Sequence, residues 1–93
     1  MAIKRATVKI TNTLGFHARP CALFVQTASQ HKKCNVRVIK DNIAVDGKSI
    51  MGLMMLAAAQ GTTLTIEVEG EDNECETALA RLVQLFENKF GEE

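Results

Sequence analysis

Gly15-Phe16-His17-Ala18-Arg19-Pro20 places an imidazole and a guanidinium two residues apart at a predicted helix start, directly after a glycine turn. Imidazole is a nitrogen nucleophile that works near neutral pH. A helix N-terminus presents unpaired backbone N–H groups and a partial positive charge, and an anion held there needs no further device. The chemistry this points to is a histidine that carries a phosphoryl group; on spacing alone, a histidine that merely caps the helix stays open. Arg19 is either a surface charge on the first turn or a planar fork folded onto a phosphoryl oxygen. No carboxylate lies close in sequence to act as a base, and no second histidine is placed for proton transfer. A nucleophile with an anion cradle but no substrate pocket describes a carrier, not a complete enzyme.

Ser49 precedes a run without charge, Ile50-Met51-Gly52-Leu53-Met54-Met55-Leu56-Ala57-Ala58-Ala59. A short helix on a sheet needs one apolar stripe, so the surplus apolar side chains predict a surface that meets a partner. Ser49 reads as the N-cap of that helix, or as a residue whose phosphorylation would alter the neighbouring surface. Gly47-Lys48-Ser49 fails as a nucleotide P-loop because position 42 is Asn42, not glycine. Cys21, His31, Cys34 and His17 lack paired ligand spacing, so no metal is expected. His31, beside Lys32 and Lys33, reads as a solvated helix-end residue. Cys21 is either a thiol activated by the helix N-terminus or a small packed residue.

The elements that must position these residues are legible by period. Ile3 to Ile10 alternates Ala6, Val8 and Ile10 with Arg5, Thr7 and Lys9, a half-wet strand. Thr11 to Gly15 is a turn, and a helix runs from about Ala18 to Ser29, with Pro20 tolerated in its first turn. Cys34 to Lys40 and Asn42 to Asp46 form a hairpin at Asp41-Asn42. Ser49 to Gln60 is a predicted second helix, ended by Gly61. Thr62 to Glu69 turns Leu64, Ile66 and Val68 one way and Thr63, Thr65, Glu67 and Glu69 the other. Asp72 or Asn73 caps a third helix whose stripe is Cys75, Ala78, Leu79, Leu82, Val83 and Phe86, with Lys89 near its end and Gly91 as its stop. The order βαββαβα predicts an α+β open-faced sandwich, a four-stranded antiparallel sheet with three helices on one side.

Composition sets the class. Residues 1–93 make one small domain, and a chain of this size buries roughly 60 to 65% of its unfolded surface. Hydrophobic content is 46%, charged content 24% and formal net charge zero, with no Trp or Tyr. A nucleic-acid partner is therefore not expected. No segment is long and apolar enough for a membrane span. Three widely spaced cysteines argue for a reduced, cytoplasmic setting.

Gly15-Phe16-His17-Ala18-Arg19-Pro20, the run Gly47-Lys48-Ser49-Ile50-Met51-Gly52-Leu53-Met54 and the element order together resemble the HPr family, histidine-containing phosphocarriers of the bacterial phosphoenolpyruvate-dependent phosphotransferase system. The likeness spans essentially the whole chain. It implies that His17 accepts a phosphoryl group from phospho-enzyme I on Nδ1 and passes it to a IIA-type protein. It implies that Arg19 and the first-turn amides stabilise that group, and that Ser49 is the serine modified by HPr kinase/phosphorylase. Phe16, Ala18, Pro20, Lys48, Ile50, Met51 and Met54 would form the docking surface, on a monomer that needs no cofactor. The run Met54 to Gly61 is similar to the nitrogen-related branch, so a sugar or a nitrogen-related system is open as the recipient. The alternative is a regulatory module acting through Ser49, with a transcription regulator as a further partner.

Overall fold

Period-two alternation becomes strand where it is expected. The computed structural model describes residues 2–92. They form β1 (Ala2–Lys9), α1 (Ala18–Ser29), β2 (Asn35–Lys40), β3 (Ile43–Asp46), α2 (Ile50–Met54), β4 (Thr63–Gly70) and α3 (Asp72–Glu87), then a 3-10 turn at Lys89–Gly91. The sheet order is β1-β4-β2-β3, with every neighbouring pair antiparallel. Val8, Val36, Val38, Leu64, Ile66 and Val68 face inward. They share one core with Phe24 and Ala28 of α1, Leu53 of α2, and Cys75, Ala78, Leu82 and Phe86 of α3. Burial of each large aliphatic or aromatic side chain contributes about 1.5–3 kcal/mol. The helices therefore cover one face and leave the other open, the α+β open-faced sandwich expected from the order of elements. The β2–β3 hairpin pairs Lys40 with Ile43, and Asp41 takes the left-handed conformation its turn needs (φ 55°).

Two expectations are corrected. The second helix does not run from Ser49 to Gln60: α2 ends at Met54, and Leu56 and Ala57 close tight turns onto Leu53 and Met54. Ala57 then adopts φ 49°, which directs 57–59 along the Gly15–Phe16 segment. Alanine favours helix, but the chain here has to bury Leu56 and Ala58 and offer the Ala58 carbonyl to Phe16 N at 2.9 Å. Tertiary pairing outweighs propensity. At α3 the N-cap is Glu71, without a side-chain cap bond, while Asp72 and Glu74 sit inside the first turn, where their charge suits the dipole.

The open face carries one buried charge. Glu67 is 6% exposed although it points away from the core, because Arg5 and Arg37, its cross-strand neighbours, lie over it. Arg5 Nε donates to Oε2 at 2.8 Å, and Arg37 donates to Oε1 from Nε at 2.8 Å and from Nη2. The Arg37 hydrogen bonds, then that of Arg5, hold the Glu67 carboxyl below the usual carboxylate range against the opposing effect of burial. A carboxyl whose folded pKa is lowered gives stability that is present above its unfolded value, about 4.3, and lost as pH falls through the folded value. Glu67→Gln is expected to cost on the order of 1 kcal/mol at pH 7, both arginines being solvent-screened, and to flatten the acid limb of stability. Urea midpoints from pH 7 to 2 measure this; an unchanged acid slope would disprove the clamp.

Candidate functional site

A glycine turn brings the histidine into position. Gly15 N donates to Asn12 O at 3.2 Å, and Asn12 Nδ2 donates back to Gly15 O at 2.7 Å. Gly15 has φ 74°, and a Cβ there would sit 2.9 Å from Ala58 O, so no other residue fits without a shift. Phe16 then pairs with Ala58 and turns its ring inward. The next residue, His17, caps α1 with extended backbone (φ −89°, ψ −169°), accepts from Cys21 N at 3.1 Å and leaves its ring 35% exposed. The ring makes no capping bond, so it is free for other chemistry. Pro20 has no N–H, so Ala18 and Arg19 carry the open amides of the first turn, and the helix itself places no acidic residue there.

The carboxylate missing near His17 in sequence arrives from the other end of the chain. Glu92 accepts from His17 Nε2 at 3.0 Å through Oε2 and lies 3.2 Å away through Oε1. Asn12 Nδ2 also donates to Oε1 at 3.0 Å. An ionised carboxylate only accepts, so in the neutral ring it favours the tautomer with the proton on Nε2 and the lone pair on Nδ1; Nδ1 has no hydrogen-bond partner among the described residues. The His17 hydrogen bond, then that of Asn12, with the positive charge of Arg19, holds Glu92 below the usual carboxylate range, while desolvation opposes this. Lys89, Phe90 and Gly91 reach this place through three successive left-handed conformations (φ 53°, 54° and 74°). Each non-glycine residue in that region costs roughly 1–2 kcal/mol. Burial of Phe90 offsets the cost: it packs on Phe86 (centroids 4.8 Å apart) and Phe16 (5.8 Å). Lys89 thus belongs to this turn and not to the last turn of α3.

The remaining site residues divide by exposure. Ala18 and Arg19 are exposed beside His17. Ser49 caps α2, its Oγ accepting from Gly52 N at 3.0 Å. Ile50, Met51 and Met54 are exposed, and Met55 joins them at 79%. Of the residues expected on the docking surface, Phe16 and Pro20 are buried in the chain, Phe16 against Phe24 and Phe86, and they support the site from beneath. Leu14 is 72% exposed beside a shallow hollow it lines with Phe16, His17, Ala57, Ala58 and Ala59. The signal for it is a large apolar residue in a turn, before a glycine that reverses the chain. Lys48, expected on the docking surface, is half-buried, and its Nζ donates to the carbonyls of His31 (3.0 Å) and Cys34 (2.7 Å), which ties down the α1–β2 connection. His31 is buried, not solvated, with Arg81 on Nε2 and Glu74 near Nδ1. Cys21 is fully buried and desolvation pushes its thiol up to about 11, which removes the activated-thiol reading. Among the described residues no His, Cys, Asp and Glu group is arranged to hold a metal ion, and no helix is long and apolar enough to cross a membrane.

A half-exposed histidine thus stands at an open helix N-terminus, on an open-faced sandwich with an apolar rim, an arrangement suited to a small protein phosphocarrier. Residues 4–88 match the family model described as the PTS HPr component phosphorylation site. The chain is 50% identical over 88 residues to the phosphocarrier protein HPr of Neisseria meningitidis, covering 95% of this chain and 96% of that one. The crystal structure of HPr-C-His from Thermoanaerobacter tengcongensis superposes with a TM-score of 0.82 at 48% identity, over 97% of this chain and 98% of that one. The phosphocarrier HPr of Bacillus anthracis gives 0.82 at 38% identity, over 92% and 99%. The chain belongs to the HPr family, the phosphocarrier components of the phosphotransferase system.

Proposed function

We propose that His17 is the phosphoryl acceptor, taking the group from phospho-enzyme I on Nδ1 and passing it to a IIA-type protein of a sugar or nitrogen-related phosphotransferase system. The observation that carries this reading is the His17 ring at the α1 N-cap, with Nε2 on the Glu92 carboxylate and Nδ1 unpartnered among the described residues. In the step, the Nδ1 lone pair attacks phosphorus as the donor's P–N bond breaks, and the donor nitrogen leaves with that bond's electron pair. Nε2 keeps its proton, so the ring becomes cationic. The open amides of Ala18 and Arg19, the helix dipole and the Arg19 guanidinium receive the phosphoryl oxygens. The chain acts as one carrier domain in the cytoplasm, docking through Leu14, Ile50, Met51, Met54 and Met55. Intact mass after incubation with enzyme I and phosphoenolpyruvate, before and after mild acid, tests the reading. An acid-labile adduct supports it. No adduct, with Ser49 still modified by the kinase and a nucleotide, would make the chain a regulator.

Ser49 is the regulatory site in this reading, modified by HPr kinase/phosphorylase. Its hydroxyl already sits at the start of α2, next to Ile50 and Met51 of the docking rim. Ser49→Asp keeps a good N-cap and brings a negative charge to the rim. It is expected to raise the KM for transfer from enzyme I by roughly tenfold, with kcat little changed, as a lost docking contribution should. Steady-state phosphorylation kinetics measure this; an unaltered KM would remove Ser49 from docking control.

A further inference from the structure

The Asn12 side chain is 1% exposed and uses both amide hydrogens. One closes the turn onto Gly15 O at 2.7 Å, and the other reaches Glu92 Oε1 at 3.0 Å. The turn requires only the first. The second meets a carboxylate delivered by a strap from 80 residues away, and that carboxylate faces His17 Nε2. A buried carboxamide cannot swing into water, so it gives the Glu92 carboxylate a direction that an exposed C-terminal glutamate would lack.

We propose that Asn12 is a positioning residue for phosphoryl acceptance: by holding Glu92 on Nε2 it keeps the ring proton there and the lone pair on Nδ1. This rests on His17 being the acceptor. Neutral imidazole otherwise exchanges between two tautomers, and a ring protonated on Nδ1 has no lone pair there with which to attack phosphorus. As the Nδ1–P bond forms and the donor's P–N bond breaks, the ring gains positive charge while Nε2 keeps its proton. Glu92, already aligned, offsets that charge without reorganisation. Asn12 touches neither phosphorus nor the ring and acts only through Glu92.

The test compares wild type, Asn12→Ala, Glu92→Gln and the double variant. Side-chain 15N NMR of the neutral His17 ring reads the tautomer ratio, and steady-state transfer from enzyme I reads kcat and KM. Wild type is expected to show the Nε2–H tautomer almost alone. Both single variants should shift toward a mixture and lose about tenfold in kcat, with KM within about twofold. The double variant should be no worse than Glu92→Gln, because the two residues act in series. A melting-temperature loss in Asn12→Ala with wild-type tautomer ratio and kcat would overturn the proposal, as would effects that multiply in the double variant. If Asn12→Ala does not fold, Glu92→Gln with an unchanged tautomer ratio overturns it equally. The NMR readout needs no phosphorylation, so failure of His17 as acceptor would appear separately, as absent transfer with the tautomer dependence intact.

Discussion

His17→Ala is expected to abolish enzyme I-dependent phosphorylation and leave the fold in place. The ring is 35% exposed and makes no capping hydrogen bond, so truncation opens no core cavity and removes no cap. It leaves Glu92 with Asn12 as a partner in a half-open site, a modest cost. Transfer has no substitute acceptor. His31, the other histidine, is buried with its two nitrogens facing Arg81 and Glu74, and a buried, occupied ring cannot approach a second protein's phosphohistidine. The acid-labile mass adduct should fall to the detection limit. The melting temperature should move by less than about 8 °C, the shift that 1 kcal/mol gives in a domain of this size. An acid-labile adduct that survives in the variant would place the carrier site elsewhere.

The difference between what is legible in the sequence and what is not follows the range of the interactions. β4 is legible because Leu64, Ile66 and Val68 alternate with polar residues and Gly70 ends the run. α1 is legible because its period and Pro20 agree. His17 and Ser49 are legible as cap residues because caps are local. The length of α2 is not, since an uncharged run has no polar face from which a period can be read, and its end depends on a hydrogen bond between Phe16 and Ala58. The resemblance alone places Phe16 on the docking surface, while strand-like alternation through 16 and 17 sends one ring in and the other out. Glu92 is 75 positions from His17, and its approach depends on left-handed turns at Lys89 and Phe90, where nothing in the residue types demands φ above zero. His31 fails for a related reason: neighbouring charge predicts solvent, but its partners are side chains supplied by another element.

Phe16→Ala is expected to destabilise the protein by about 3–5 kcal/mol, a large share of the roughly 5–15 kcal/mol that holds a domain together. The ring is 4% exposed and stands at the centre of the aromatic cluster, 6.1 Å from Phe24, 5.7 Å from Phe86 and 5.8 Å from Phe90. Truncation leaves a cavity that the Gly15 turn cannot collapse into, because Phe16 N is tied to Ala58 O. It also removes one of the two rings on which Phe90 rests, so the strap should loosen and the His17–Glu92 contact weaken with it. Thermal melting should fall by well over 10 °C, and Phe16→Leu, which refills much of the volume, should recover about half of that loss. Met51→Ala is the control: a side chain 77% exposed contributes docking surface and little stability. If Phe16→Ala instead melted like wild type and lost only affinity for enzyme I, the ring would belong to the docking surface after all, and the burial that separates support from contact at this site would be wrong.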